Sequence, residues 1–294
     1  MRGSVTRWAA AAAMVALAGV AGCSHTSPSS DCATGVVGTT VGDVCGVVTP
    51  AGGLTQKSVD AFLGIPYAES TGGANRFQPP VPKARMSGVF QANTLSPACP
   101  QELNPPYGAT SISEDCLTVN VWRPTGVAEG DDRPVMLWIY GGSFTSGANQ
   151  YPLYQGEYVA AKEDVIVVAL NYRVGALGFL SGVGGTTGNQ GLKDQQLAMH
   201  WVKDNAASFG GDPDRITIFG ESAGAMSVGL QELSIPSSAG LFRSAIQQSN
   251  PMGIPYKSPA QAAVSGALFA KNLGCEGQGI ECLQQVSVDD ILTQ

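Results

Sequence analysis

One serine has the surroundings that a catalytic nucleophile needs. Residues 220–224 read Gly-Glu-Ser-Ala-Gly and follow directly after an apolar, β-rich run at residues 216–219. A plausible helix, residues 225–233, comes next, so the pattern predicts a strand-to-helix turn that requires small residues beside Ser222. Such a turn exposes the hydroxyl above the strand end, and the helix amino terminus stabilises developing negative charge. We interpret Ser222 as a nucleophile for acyl transfer. The alternative is an ordinary turn.

A second segment carries the hydrogen-bond donors that acyl transfer needs. Residues 138–144 read Trp-Ile-Tyr-Gly-Gly-Ser-Phe and lie at the end of an earlier apolar run. Acyl transfer builds negative charge on the carbonyl oxygen of the substrate, and backbone N–H groups aimed at that oxygen stabilise it. A glycine-rich loop after an earlier strand supplies such donors together with the N–H after the nucleophile, here that of Ala223. Alone, the loop suits a flexible turn equally well. Paired with Ser222, it predicts an oxyanion hole.

Three apolar runs bounded by turn residues would position these two segments. They are residues 135–140, 165–170 and 216–219. Continuous apolar runs of this length suit strands buried on both faces, as in a parallel sheet covered by helices. Between the second and third runs, residues 192–209 have a helical pattern with Leu197, Trp201 and Val202 on one face. Strand, helix and strand in this order predict a doubly wound α/β sheet.

Composition argues for a folded domain and against nucleic-acid binding. Of the 294 residues, 44% are apolar and 13% are charged, which is the opposite of the balance typical of disorder. The net charge is −7 and the sequence has no basic stripe, so we expect no nucleic-acid partner. With two histidines and no Cys-x-x-Cys pair, a metal site has little support, and we expect no cofactor. The sequence does not predict an oligomeric state.

The amino terminus has the pattern of an export signal. Two arginines accompany an uncharged, alanine-rich run at residues 8–22, which is short for a membrane span and suits a signal-peptide core. The run ends in Val-Ala-Gly-Cys, which resembles the bacterial lipobox, so Cys23 is predicted to be lipidated on the outer face of a bacterial membrane. The alternative is ordinary secretion. We expect a lipoprotein signal peptide at residues 1–22, a Ser/Thr/Pro tether at 23–31, and the main domain at 32–294.

Six cysteines remain besides Cys23, an even number that favours disulfides in an exported chain. Six cysteines allow 15 pairings. Along the sequence, however, the six cysteines form three pairs of near neighbours, which we predict to be disulfides: Cys32 with Cys45, Cys99 with Cys116, and Cys275 with Cys282.

Several separated stretches together resemble the type-B carboxylesterases and lipases, relatives of the cholinesterases. One signature is residues 209–224, which include the Gly-Glu-Ser-Ala-Gly run, and the other is residues 114–122, Glu-Asp-Cys-Leu-Thr-Val-Asn-Val-Trp. Shorter similar stretches are residues 62–68, 76–77, 171–175 and 191–195. The resemblance runs from about Val44 to the end. It implies an α/β-hydrolase fold with a doubly wound, mostly parallel sheet.

The resemblance also implies a role for each residue of the site. Ser222 would form the acyl intermediate, and the backbone N–H groups of Gly142, Ser143 and Ala223 would form the oxyanion hole. Ser143 stands where many relatives have glycine or alanine. Glu221 would line the site as a nearby negative charge.

Other features implied by the resemblance are structural or concern the substrate. It supports the disulfides Cys99–Cys116 and Cys275–Cys282 and implies two ion pairs, Arg76–Glu114 and Arg173–Asp194, which fix geometry. In cholinesterases the loop closed by the first disulfide carries a tryptophan that stacks on a quaternary amine. Residues 100–115 contain no tryptophan, although they include Tyr107, so a choline ester is not the expected substrate.

The general base is the missing part of the catalytic set. In this fold the triad follows the order serine, acid, histidine, and no histidine follows Ser222 in the sequence. His25 lies in the predicted tether and His200 on the polar side of the predicted helix, so neither suits a general base. We therefore expect an esterase for small-molecule esters that is truncated after the nucleophile half. Two alternatives stay open: a non-catalytic, cholinesterase-like adhesion or binding module, and catalysis with a base supplied by water or a partner chain.

Overall fold

A computed structural model describes residues 1, 3, 32–53, 55–104 and 108–294. Several predicted features lie outside these ranges: the tether with Cys23, Tyr107, and all but two residues of the signal peptide. Among the helices of the described ranges, none is long and apolar enough to cross a membrane.

The described residues form two sheets. In chain order the strands are β1 (Val36–Thr39), β2 (Gly42–Cys45), β3 (Val47–Pro50), β4 (Ser58–Pro66), β5 (Val89–Gln91), β6 (Thr118–Pro124), β7 (Arg133–Ile139), β8 (Ile166–Leu170), β9 (Gly211–Glu221) and β10 (Ser244–Gln248). The central sheet has the order β10-β9-β7-β8-β6-β4-β3, and a small second sheet has the order β1-β2-β5.

The central sheet is mixed, with its parallel part at the predicted site. Strands β10, β9, β7 and β8 are parallel to one another. The β8–β6, β6–β4 and β4–β3 pairs are antiparallel, so β4 runs with the first four strands while β6 and β3 run against them. The predicted doubly wound α/β sheet is confirmed; three of its six strand pairs are parallel, and the three antiparallel pairs lie together on one side.

Helices cover both faces of this sheet. In the described ranges the helices are α1 (Glu157–Glu163), α2 (Gly175–Phe179), α3 (Gln190–Asn205), α4 (Ala223–Leu233), α5 (Pro259–Asn272), α6 (Ile280–Gln285) and α7 (Val288–Leu292), and α1, α3 and α4 pack on the sheet. Strand β8 shows that both faces of the sheet are covered, because its side chains alternate between two buried clusters. Val167 and Ala169 belong to the cluster with α1, whereas Ile166, Val168 and Leu170 belong to the cluster with α3. A strand covered on both faces by apolar clusters in this way reads as a continuous apolar run.

The predicted helix at residues 192–209 corresponds to α3 and a following 3-10 turn, Ala207–Phe209. Trp201 and Val202 are buried as expected, but Leu197 is only half-buried. The reason is that the buried face is rotated toward Ala198 and Met199.

All three predicted disulfides are present: Cys32–Cys45, Cys99–Cys116 and Cys275–Cys282. Their sequence separations are 13, 17 and 7 residues, so each closes a short local loop. A set of three structural disulfides is consistent with export to an oxidising compartment.

Both implied ion pairs are present as well. Arg173 and Asp194 are 1% and 0% exposed, with Nη2 and Oδ1 2.7 Å apart. The Arg76 guanidinium makes two bonds to the Glu114 carboxylate, of 2.6 and 2.7 Å. Its Nη1 atom also donates to the carbonyl groups of Gln284 and Val286, at the end of α6. Arg76 therefore joins the amino-terminal loops to the disulfide-linked helix α6.

One edge of the central sheet carries exposed apolar side chains. Within the described residues β10 pairs only with β9, and Ile246 in β10 is 44% exposed. Exposed apolar side chains also occur in the following loop and in α5, with Met252 at 84% and Val264 at 72%. Exposed strand edges and apolar surface of this kind favour association.

Candidate active site

Ser222 lies at a sharp turn between β9 and α4. Strand β9 ends at Glu221 and α4 begins at Ala223, two residues earlier than the sequence pattern predicts. Ser222 has φ 56° and ψ −121°, a backbone conformation that residues with a side chain rarely adopt. Its N–H donates to the Gln248 carbonyl group in β10, with an N–O distance of 2.9 Å. The strained turn is thus held by the neighbouring strand.

The glycines beside Ser222 are required by close backbone contacts. A Cβ atom at Gly220 would lie 2.6 Å from the carbonyl atoms of Gly224 and 2.7 Å from the Ile139 oxygen. A Cβ atom at Gly224 would overlap that same Ile139 oxygen and lie 2.8 Å from the Tyr140 carbonyl group. The turn at Ser222 therefore packs directly on the carboxyl end of β7, which explains the small residues on both sides of the serine.

Residues 141–147, which we call the oxyanion loop, follow β7 and contact this turn. A Cβ atom at Gly141 would lie 3.2 Å from the Ser222 Cβ atom and 2.5 Å from the Glu221 carbonyl oxygen. Ser143 and Phe144 both have left-handed backbones, with φ 56° and 60°. Two consecutive non-glycine residues in this region make the loop strained, so other contacts must hold it.

Hydrogen bonds inside the oxyanion loop close it on itself. The Gly142 carbonyl group accepts from the N–H groups of Thr145 and Ser146, each at 3.0 Å. The Phe144 carbonyl group accepts from Gly175 N–H, at the start of α2. Within the described part of the chain, the N–H groups of Gly142, Ser143 and Ala223 have no backbone or side-chain acceptor. Three free donors thus lie in the two segments that meet at Ser222, and their role in an oxyanion hole stays a prediction.

Glu221 lies next to aromatic side chains. Its own side chain is exposed. Burial, followed by the Glu221 charge, raises the pKa of the Tyr154 hydroxyl. The Trp138 ring lies between Tyr154 and Phe219, with centroid distances of 5.2 and 4.9 Å. Glu221, the predicted negative charge, is therefore near enough to Tyr154 to influence it, and Tyr154 belongs to a row of three aromatic rings.

Two buried tyrosines support the strand ends that carry the loop, and the sequence contains no local signal for their pairing. The rings of Tyr140 and Tyr172 stack with centroids 4.3 Å apart. The Tyr140 hydroxyl donates to the Tyr172 carbonyl group at 2.7 Å, and the Tyr172 hydroxyl donates to the Tyr140 carbonyl group at 2.9 Å. These reciprocal bonds fix the ends of β7 and β8 against each other, directly before the oxyanion loop.

Within the described residues, no histidine forms a hydrogen bond with Ser222. His200 is exposed on α3, in agreement with its expected place on the polar side of the helix, and His25 lies outside the described ranges. The same ranges contain no group of three or more His, Cys, Asp or Glu side chains arranged to hold a metal ion. Within the described residues, the arrangement brings the Ser222 turn together with three N–H groups that lack an acceptor, and the roles of nucleophile and oxyanion donors stay predictions.

Comparison with known proteins supports the resemblance noted in the sequence. The model of the carboxylesterase family matches residues 33–294, so the likeness begins before Val44. An acetylcholinesterase of Gallus gallus is 42% identical over 275 residues, covering 87% of this chain and 35% of the relative. A cholinesterase of Mus musculus is 42% identical over 275 residues, covering 87% and 45%. An acetylcholinesterase of Danio rerio is 42% identical over 277 residues, covering 88% and 43%. The chain spans less than half the length of these curated relatives.

Proposed function

This chain belongs to the carboxylesterase family, and we propose that it hydrolyses carboxylic esters through an acyl intermediate on Ser222. One observation carries the proposal: the positive-φ turn at Ser222 lies against a loop in which, within the described residues, the N–H groups of Gly142 and Ser143 have no acceptor. A strained turn with free donors beside it costs stability, so its presence favours a catalytic use.

The chemistry follows from the two groups that meet there. The Ser222 hydroxyl oxygen attacks the ester carbonyl carbon, and the carbonyl electron pair moves to the oxygen. The N–H groups of Gly142, Ser143 and Ala223 stabilise that oxyanion. A general base takes the serine proton and returns a proton to the leaving alcohol as the ester C–O bond breaks. Water then attacks the acyl-serine by the same route and releases the carboxylic acid.

The general base is the component that we place outside these 294 residues. A serine hydroxyl is a weak nucleophile until a base activates it. His200 is exposed, and no histidine follows Ser222 in the sequence. We propose that the triad acid and histidine come from a further stretch of polypeptide, since the relatives named above are more than twice as long.

We propose a neutral ester as the substrate rather than a choline ester. The names of the relatives refer to choline esters, whose quaternary amine binds well to a tryptophan face. Residues 100–115 contain no tryptophan. A short acyl nitrophenyl ester is therefore the probe that we choose.

We also propose that the protein is exported and held on a bacterial membrane by lipidation of Cys23. The charged start, the apolar run at residues 8–22 and the cysteine at its end support this. A modified cysteine with more than one acyl chain would give stable anchoring, since one chain alone binds only marginally. Ordinary secretion is the alternative.

The test of the esterase proposal is hydrolysis of nitrophenyl acetate by three purified proteins. They are the 294-residue chain, the chain extended with the second half of a close relative, and that extended chain with Ser222→Ala. A fourth protein, the extended chain with Ser237→Ala, is the matched control because Ser237 is an exposed serine. We expect the 294-residue chain to be nearly inert, because loss of triad members leaves a residual rate enhancement of only about 10³–10⁴ over water. We also expect it to be poorly soluble, because the exposed edge of β10 and exposed apolar side chains favour association.

Two results would count against parts of the proposal. Brisk, Ser222-dependent turnover by the unextended monomer would show that the argument about the missing base is wrong. A soluble, folded extended chain whose rate does not depend on Ser222 would reject the esterase proposal and favour a binding module.

A further inference from the structure

The side chain of Gln101 uses all of its hydrogen-bonding capacity in the interior. Gln101 is 2% exposed and lies between Cys99 and Cys116. Its Nε2 atom donates to the Gly147 carbonyl group at 2.8 Å and to the Cys99 carbonyl group at 3.0 Å. Its Oε1 atom accepts from Gly147 N–H at 2.8 Å and from the Tyr151 hydroxyl at 3.3 Å. One side-chain amide thus pairs with both backbone groups of Gly147, as a neighbouring strand would.

Gly147 is the last residue of the oxyanion loop, and it closes the loop on its first residues. Its φ is +120°, and a Cβ atom there would overlap the Tyr140 ring and lie 2.6 Å from the Gly141 carbonyl oxygen. Likewise, a Cβ atom at Gly142 would lie 2.8 Å from the Ser146 carbonyl carbon. The two ends of the loop are therefore in contact, so a restraint on Gly147 also restrains Gly141 and Gly142.

We propose that Gln101 is a positioning residue that holds the oxyanion loop against the Ser222 turn. Gly141, which packs on Ser222, is fixed through Gly147, and the Cys99–Cys116 disulfide fixes the segment from which Gln101 extends. The loop contains the strained residues Ser143 and Phe144 and needs such an external restraint. The catalytic consequence of this role rests on the proposed function, whereas the restraint itself does not.

A second buried amide provides a matched control. Asn205, 1% exposed at the end of α3, accepts from Thr40 N–H at 2.8 Å and donates to the Trp201 carbonyl group at 2.7 Å. It therefore has the same type of bonds to backbone, without any contact to the oxyanion loop. A purely structural role for Gln101 predicts that the two sites behave alike.

The first measurement is hydrogen exchange by mass spectrometry on the 294-residue chain. Gln101→Glu keeps the shape but cannot donate to the two carbonyl groups, and Gln101→Met removes every bond. We expect exchange of the peptide over residues 142–151 to rise up to about tenfold in both variants, because each loses bonds to Gly147. Asn205→Asp should leave that peptide unchanged. Unchanged exchange in both Gln101 variants, or equal acceleration in Asn205→Asp, overturns the proposal.

The second measurement is steady-state kinetics on the extended chain described above. We expect Gln101→Met to lower kcat about 10- to 100-fold with KM changed less than about threefold, because the loop acts on the oxyanion. Asn205→Asp should retain kcat. If kcat stays unchanged in Gln101→Met while the loop exchanges faster, the catalytic part of the inference is wrong. If the unsubstituted extended chain has no Ser222-dependent activity, the proposed function fails, and the exchange result alone decides the role of Gln101.

Discussion

Replacement of Gly224 by alanine should destabilise the fold, although alanine is the better helix former. The added Cβ atom would overlap the Ile139 oxygen and lie 2.8 Å from the Tyr140 carbonyl group. Both are backbone atoms at the end of a central strand, so they have little freedom to move. Overpacking costs up to about 3 kcal/mol, and the gain in helix propensity offsets about 1 kcal/mol of it. The expected result is a free energy of unfolding lower by about 2 kcal/mol.

Gly229, later in the same helix, is the matched control for this prediction. A Cβ atom there would lie 3.3 to 3.4 Å from the ends of the Gln247 and Asn250 side chains, which can move. Gly229→Ala should therefore raise the free energy of unfolding by up to about 1 kcal/mol. The assay is urea unfolding followed by tryptophan fluorescence at low protein concentration. If Gly224→Ala is as stable as the unsubstituted chain, the packing argument for the Ser222 turn is wrong.

Three further predictions concern charge, pH and export. Asp194→Asn leaves a buried guanidinium without its carboxylate and should cost about 3–5 kcal/mol in urea unfolding, whereas Asp43→Asn, at an exposed pair, should cost at most about 1 kcal/mol. Burial raises the pKa of Tyr140 and Tyr172, so the unfolded chain loses these protons first. The free energy of unfolding should be intact below about pH 10 and should fall above it, and a flat profile to about pH 11 contradicts this. Metabolic labelling with a fatty acid should mark the native chain but not Cys23→Ala; equal labelling of both, or of neither, rejects the anchor.

Three of the four parallel strands, β7, β8 and β9, were predictable because each contains an apolar run, whereas β10 reads Ser-Ala-Ile-Gln-Gln and has none. Strand β8, Ile166–Leu170, contains no polar side chain, and its burial on both faces follows from that. Strand β6 is different, since Asn120 and Arg123 interrupt it although both are buried. Their partners are distant in sequence: Asn120 bonds to Asn149 and Arg123 to Asp60. Local periodicity therefore could not identify this strand or its antiparallel direction.

The candidate site divides in the same way. Ser222 was identified because a strand-to-helix turn of this kind forces a local pattern of small residues. Gln101 has no such pattern around it, because its partner, Gly147, lies 46 residues further along the chain. The contact places no requirement on the sequence next to Gln101. The pairing of Tyr140 with Tyr172 is likewise a long-range contact, of 32 residues. The candidate nucleophile is encoded locally here, whereas the residues that hold its surroundings are determined by the assembled fold.

The bonds from Arg76 to the end of α6 have a consequence for synthesis. The Val286 carbonyl group that accepts from Arg76 lies 210 residues later in the chain. At about 5–20 residues per second, the ribosome would make it about 10 to 40 s after Arg76. During this interval Glu114, only 38 residues away, is the partner that Arg76 can already have. Until α6 has been synthesised, one side of the Arg76 guanidinium would thus have no partner, and the amino-terminal loops would lack this connection. A nascent chain in that interval should be a better substrate for proteases and chaperones than the finished fold.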